Sequence, residues 1–333
     1  MLRITPEQMH QVMVEKLLKH NVPADIADDC AKLLVENSLD GIYSHGVNRF
    51  PRLISYLDKD YIHAELRPTL IQSFGAFEKW DGNLGMGNTN AHYCMDRAIE
   101  LARQYGIGCV ALRNTNHWMR GGAYGLQAAN AGCIGICWTN TQPNMPAWGG
   151  KDRRIGNNPL ILCVPRANGK HVMMDGAMAQ FSYGAIEKAR LDGKLLPVEG
   201  GFDTKGNPTR DPVEIEKTWR VLPIGYWKGS GISIVMDMIA ASLADGNPVC
   251  GVGALGDDEY ALCQIMIAID AKNISETLSE TVERIIADIK ASDRVDPERE
   301  VLYPNEPSYI AREDNEKNGI PVNESVWETI QAL

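Results

Sequence analysis

No CxxC pair, no run of basic residues and no apolar stretch approaching ~18 residues occurs in this 333-residue sequence. Each absence removes a class of function. The 8 cysteines, at 30, 94, 109, 133, 137, 163, 250 and 263, are scattered, mostly within apolar runs. They read as free thiols in a reducing compartment, with no zinc framework, so no metal is expected. A net charge of -10 without a basic run excludes a nucleic-acid surface and gives no reason to expect an anionic membrane partner. Without a bilayer-length segment, and with a start, MLRITPEQMH, that lacks the apolar core of a signal peptide, the expected location is cytoplasmic. There is no Walker loop. Gly251-Val252-Gly253-Ala254-Leu255-Gly256 satisfies GxGxxG in letters, but a helical pattern precedes it and Asp257-Asp258-Glu259 and a strand follow it. A dinucleotide fingerprint needs the opposite order and no carboxylates against the pyrophosphate, so this stretch reads as a loop.

What is present is a hydrophobic content of 44%, ample for a core in a chain long enough for two or more substructures. Thr5, Pro6 and Gln8 form a helix start, and the helix should run to about His20. A second helix is expected from Ala24, with Ile26, Cys30, Leu33 and Leu34 on one face, to a stop at Gly41. A hairpin is expected over Leu70 to Phe77, and a helix from Asn88 to Tyr105 closed by Gly106. Ile107 to Leu112, a glycine-rich helix and Cys133 to Trp138 read as a βαβ unit. Leu160 to Val164 and His171 to Met174, around the turn Arg166 to Gly169, read as an antiparallel hairpin. Residues 193 to 223 read as a long surface excursion, followed by a helix from Ser230 to Leu243, a strand from Leu262 to Ile269, an amphipathic helix from Ser275 to Ser292 and two short helices after Pro307. The class is mixed α/β.

Three stretches carry chemistry. In Tyr43-Ser44-His45-Gly46-Val47-Asn48-Arg49-Phe50, a titratable imidazole precedes a permanent cation by four residues. A helix starting near Ser44 puts both on one face, whereas Pro51 favours a lead-in loop with the helix beginning near Pro51, and either keeps them close. Asn114 to Gly122, NTNHWMRGG, sets His117, Trp118 and Arg120 after a strand. It suits a small polar ligand or a nicotinamide ring as well as it suits a capped turn. Gly225 to Gly231, GYWKGSG, opens a helix with Lys228 at its positive end, which suits an anion or a solvated lysine equally.

YSHGVNR, NTNHWMRGGAYG, RIGNNPL, MMDGAMAQFSYG and GYWKGSG, in this order, resemble the malate/L-lactate dehydrogenase family that lacks a Rossmann fold, and the similarity spans nearly the whole chain. The resemblance implies an NAD(P)-dependent oxidoreductase of 2-oxo or 2-hydroxy acids, and NADH is expected rather than NADPH. It implies a homodimer, and a non-Rossmann cofactor domain on a large mixed sheet plus a helical domain of N- and C-terminal segments. The corresponding division is 1–65 with 275–333 helical, and 66–274 for the sheet region. NHWMRGG, where many members carry a glycine-rich NH-F-G sequence, resembles the sugar-acid branch. That implies reduction of a 2-oxo sugar acid, foremost 2,3-diketo-L-gulonate to 3-keto-L-gulonate, in sugar-acid catabolism. A reductase of a simpler acid such as malate's or lactate's keto form is the alternative, and a non-catalytic acidic-sugar binder the non-enzymatic one. By the resemblance His45 is the proton donor and the family's arginine falls on Arg49; Ser44 and Arg49 are expected to bind substrate, His117 and Arg120 suit further hydroxyl or keto oxygens of a six-carbon acid, and Asp175 is expected at the substrate, fixing the tautomer of a catalytic histidine. The cofactor contacts fall on His171, Val172, Met173, Met174, Asp175, Gly176 and Ala177, on Trp227 and Lys228, and on Asn305, Glu306 and Pro307.

Overall fold

The computed structural model describes residues 1–333. Thr5 accepts a hydrogen bond from Gln8 N–H and Pro6 opens helix α1, Pro6–Lys19. Its Met9, Met13 and Leu17 are fully buried with Ile26, Cys30 and Leu34 of α2, Ala24–Leu39. The same core takes in Leu53 and Ile54 of α3, Phe50–Asp58, and Ile320, Val322, Trp327 and Ile330 from the end of the chain. Leu2–Ile4 pairs antiparallel with Ile320–Val322, so the first and last segments are stitched together.

A seven-stranded sheet forms the centre. Its strands are β1 Thr69–Phe74, β2 Phe77–Asp81, β3 Ile107–Thr115, β4 Ile134–Thr139, β5 Leu160–Val164, β6 Val172–Gly176 and β7 Leu262–Ile269. They lie in the order β1-β2-β3-β7-β4-β5-β6, and only β2 and β3 are parallel neighbours. A doubly wound dinucleotide fold needs a parallel sheet with a switch point, and this sheet has none. Alternation decides what covers each face. Val110, Leu112, Met266 and Ala268 pack under α4, Gly87–Tyr105, and α5, Gly122–Asn130. Ala111, Cys263 and Ile265 pack under Met236, Ala240 and Ala244 of α7, Trp227–Ala244, on the far side from α4 and α5, and Ile186 of α6, Tyr183–Leu191, joins the same cluster. Gly108 lets α4 approach, because a Cβ there would lie 2.1 Å from Ala98 O. Beyond the β5–β6 edge, α8, Leu278–Lys290, buries Val282 and Ile286 with Tyr303 against Val164 and Val172. Helices α9, Glu306–Asn318, and α10, Glu324–Ala332, close the chain.

The structure corrects several expectations. The crossover from β3 through α5 to β4 exists, but β7 lies between the two strands and is antiparallel to both. A late strand inserted itself into the unit, which no local pattern announces. The stretch 193–223 is not a bare excursion: it holds a two-stranded ribbon and a helix, Pro212–Thr218, whose Asp211 side chain accepts from Val213 N–H. Gly251 and Gly253 sit in a short helix, Val249–Ala254, rather than a loop. Helix and strand keep the reversed order around it, so the rejection of a pyrophosphate loop stands. YSHGVNRF takes the lead-in geometry: two 3₁₀ turns, Tyr43–His45 and Val47–Arg49, then α3 with Pro51 in its first turn.

Candidate active site

Backbone pinning places His45 before its side chain matters. Asn37 Nδ2 donates to His45 O at 3.1 Å, and Val47 N–H donates to Ser38 Oγ at 2.9 Å, so both turns hang from the C-terminal end of α2. A Cβ at Gly46 would lie 2.2 Å from Ser38 Oγ, so glycine lets this loop press against the helix. His45 Nδ1 lies 2.9 Å from Ser44 Oγ. The ring faces a cavity of 620 Å³, which falls in the range of small-molecule and cofactor sites. His117 faces the same cavity, with its ring stacked on His45 at 5.9 Å and 21°.

Arg49 and Arg52 enter this cavity from the turn before α3 and from its first turn, and neither forms an ion pair with a protein carboxylate. Arg52 Nη2 donates to Tyr56 OH at 2.9 Å. Burial, with Arg52 next, lowers the pKa of Arg49. Burial also lowers the pKa of His45 to about 4, helped by the charges of Arg49 and Arg120. In the unliganded chain His45 is therefore neutral at physiological pH. A negative charge placed on Arg49 reverses part of that shift.

His117 is held differently. Asn116 Nδ2 donates to the carbonyls of Tyr61, Leu84 and Gly85, which fixes the chain as it leaves β3. Met119 N–H donates to His117 Nδ1 at 3.0 Å. That nitrogen is an acceptor, so the neutral ring carries its hydrogen on Nε2. Burial holds the pKa of His117 well below the usual histidine value, with the charge of Arg49 next. Its Nε2 lies 3.9 Å from Glu259 Oε1.

Arg120 and Asp175 belong to a charge array that lines the cavity, with Arg120 and Asp40 buried. Arg120 Nη1 donates to Asp40, whose other oxygen accepts from Arg312 Nε at 2.6 Å. Arg120 Nε stands 3.7 Å from Asp175 Oδ2, which accepts from Gly122 N–H at 2.9 Å. Asp40 anchors the guanidinium, while Nε is buried without a hydrogen-bond partner and Arg120 lines the cavity, so one donor remains for the expected substrate oxygen. Asp175 bonds to neither histidine; Met119 N–H sets the tautomer of His117, and His45 Nδ1 meets only the Ser44 hydroxyl, which can donate or accept. Burial raises the pKa of Asp175, while Arg120 opposes it. Trp118, expected beside a ligand, is 2% exposed and packs its ring on Tyr124 at 5.5 Å.

Of the expected cofactor residues, Met173, Asp175, Gly176, Ala177, Asn305 and Pro307 line the cavity. Strand alternation turns Met174 outward, and Val172 packs beside α8. His171 is locked by Arg166 N–H on Nδ1 and Asn130 Oδ1 at Nε2, both at 2.9 Å, and Glu306 accepts from Tyr303 N–H. Trp227 and Lys228 are exposed, with the ammonium 6.0 Å above the indole ring. The chain leading to them runs along the cavity wall, because Ala179 pairs with Pro223 and Ile224 N–H donates to Met178 O. A nicotinamide fits these residues. Asn305 Nδ2 is buried without an acceptor in the chain, suited to a carboxamide oxygen, and the apolar Met173, Ala177 and Pro307 share its wall.

The sequence reading missed Arg52, Gln142 and Glu259. Arg52 carried a signal, a second guanidinium three residues after Arg49 at helical spacing. Glu259 carried none, because only the bend between Val249–Ala254 and β7 brings it under His117.

Residues 4–331 match the family described as malate/L-lactate dehydrogenase. The chain is 48% identical over 334 residues to the 2,3-diketo-L-gulonate reductase of Citrobacter koseri, covering 100% of each protein. It is 47% identical to that of Pasteurella multocida over the same extent. Among solved structures, the sulfolactate dehydrogenase of Methanocaldococcus jannaschii superposes with a TM-score of 0.89 at 27% identity, covering 99% of this chain and 96% of that one. The malate dehydrogenase of Entamoeba histolytica superposes with a TM-score of 0.93 at 25% identity and the same coverage, 99% and 96%. With the family match, the full-length relatives and the superposed structures in agreement, the chain belongs to the malate/L-lactate dehydrogenase family and is an oxidoreductase, which implies a nicotinamide cofactor.

Proposed function

We propose that this protein reduces 2,3-diketo-L-gulonate to 3-keto-L-gulonate, with NADH as hydride donor and His45 as proton donor. The observation that carries the reading is Arg49, a cation without a carboxylate partner, in the same cavity as His45. Arg49 takes the substrate carboxylate in its planar fork, and Arg52 adds a second cation. The cofactor, when bound, supplies the hydride to the carbonyl carbon. His45 donates a proton to the oxygen on which charge develops, and the substrate's own negative charge beside Arg49 raises the pKa of His45 toward the range where it holds that proton.

Asn305, Met173, Gly176, Ala177 and Pro307 form the cofactor's ring end of the site. Trp227 and Lys228, beyond the wall, serve its outer anionic part, so Lys228→Met is expected to raise the cofactor Kd. The protein works as a homodimer in the cytoplasm. Eight free cysteines agree with a reducing compartment. The α7 face of Ile232, Val235, Met238 and Ile239, all exposed at helical spacing, suits burial against a second copy.

The test is kcat/KM for 2,3-diketo-L-gulonate, pyruvate and oxaloacetate with NADH and with NADPH. A preference for the sugar acid with NADH is expected. Faster turnover of pyruvate or oxaloacetate would assign the site to a simpler 2-oxo acid.

A further inference from the structure

The cavity corner between His117 and Glu259 has a use that proton donation and carboxylate binding do not absorb. Met119 N–H occupies His117 Nδ1, so Nε2–H points as a donor into the corner. Glu259 is a buried carboxylate with only part of its capacity used: Oε2 accepts from Gln142 N–H at 3.1 Å, and Oε1 accepts from no group of the chain. The two facing atoms are 3.9 Å apart, too far for a direct hydrogen bond and, with His117 held neutral by burial, not an ion pair. One oxygen at about 2.8 Å from both atoms closes the gap with an angle near ~90° between them, which is the geometry of a hydroxyl. Such a hydroxyl accepts from Nε2–H and donates to Oε1. The Glu259 charge repels a carboxylate there, so the corner takes a neutral polyol oxygen.

We propose that His117 and Glu259 form a donor–acceptor pair that reads one hydroxyl of the substrate's tail and selects hydroxylated 2-oxo acids over acids with a plain alkyl tail. The inference rests on the reductase function proposed for this cavity and names the residues that set its substrate class. An alkyl tail leaves a buried donor and a buried carboxylate oxygen both unpaired, the situation in which a polar site discriminates most.

The experiment is the ratio of kcat/KM for 2,3-diketo-L-gulonate to that for 2-oxohexanoate, in wild type, Glu259→Gln and His117→Asn. Glutamine keeps an acceptor for Gln142 N–H, and asparagine keeps one for Met119 N–H while removing the cavity donor. Both acids are measured on one preparation, so the folded fraction cancels from the ratio. Each variant is expected to lower the ratio by about tenfold to a hundredfold. The double variant is expected to lower it by less than the product of the two, since both residues serve one hydroxyl. If wild type favours the sugar acid and neither variant changes the ratio, the inference is wrong and the proposed function stands. If wild type shows no preference for the sugar acid, the inference and the proposed function fall together.

Discussion

Arg49 and His45 sit four residues apart, yet their loss should be felt in different constants. Arg49→Met keeps the aliphatic stem and removes the charge that holds the carboxylate. KM for the 2-oxo acid should rise by about tenfold to a hundredfold, with a smaller fall in kcat as the carbonyl loses its orientation. An unchanged KM in steady-state assays would take the carboxylate away from Arg49. The residues alone said only that an imidazole and a cation lie close, and their roles came from the resemblance of YSHGVNR; the structure brings both to one cavity. Arg120 was legible only as a cation. Its commitment to Asp40 depends on the far end of α2 meeting α5, and no local pattern encodes that meeting. Glu259 lay inside an acidic run read only as repelling a pyrophosphate, and its place in the fold reveals it under His117.

At the scale of elements, the loop that carries His45 depends on α2. Its contacts are the Ser38 hydroxyl on Val47 N–H and the Asn37 amide on His45 O. Gly46→Ala puts a methyl 2.2 Å from Ser38 Oγ and 2.9 Å from Leu34 O, so the two turns must move off the helix. Crowding of this kind typically costs about 1–3 kcal/mol. Thermal unfolding should show a lower Tm, and the displaced imidazole should lower kcat even where the protein remains folded. A variant with unchanged Tm and kcat would show that the close approach is dispensable. Element identity was well marked where caps and periodicity agree, as in α1 with Thr5 and Pro6 and in α4 with Gly106 in the left-handed conformation. The helix at Pro212 was passed over although Asp211-Pro212 is itself a start signal, because the surrounding glycines and charges masked a helix of about two turns.

At the scale of the molecule, the order of the sheet was the least legible feature. β7 enters between β3 and β4 more than a hundred residues after either was complete, and pairing at that separation is decided by the whole core. The same order keeps the cofactor region off any glycine-rich phosphate loop and leaves α7 with an apolar outer face. Sedimentation should find a dimer, and Val235→Glu together with Met238→Glu should shift it toward monomer. Wild type sedimenting as a monomer at micromolar concentration would remove the homodimer from the account.

The central claim is that His45 donates the proton and that substrate binding restores its basicity. A histidine lowered to about 4 in the free protein is charged only below that pH. For reduction, kcat/KM should therefore keep rising as pH falls from 8 toward 5, whereas kcat, which reports the complex with an anion on Arg49, should level off at a higher pH. The decisive measurement is this pair of profiles with 2,3-diketo-L-gulonate, in wild type and in His45→Asn. The variant is expected to lose about a hundredfold to ten-thousandfold in kcat, to lose the pH dependence and still to bind NADH. Wild-type turnover by His45→Asn, with the same profiles, would contradict it.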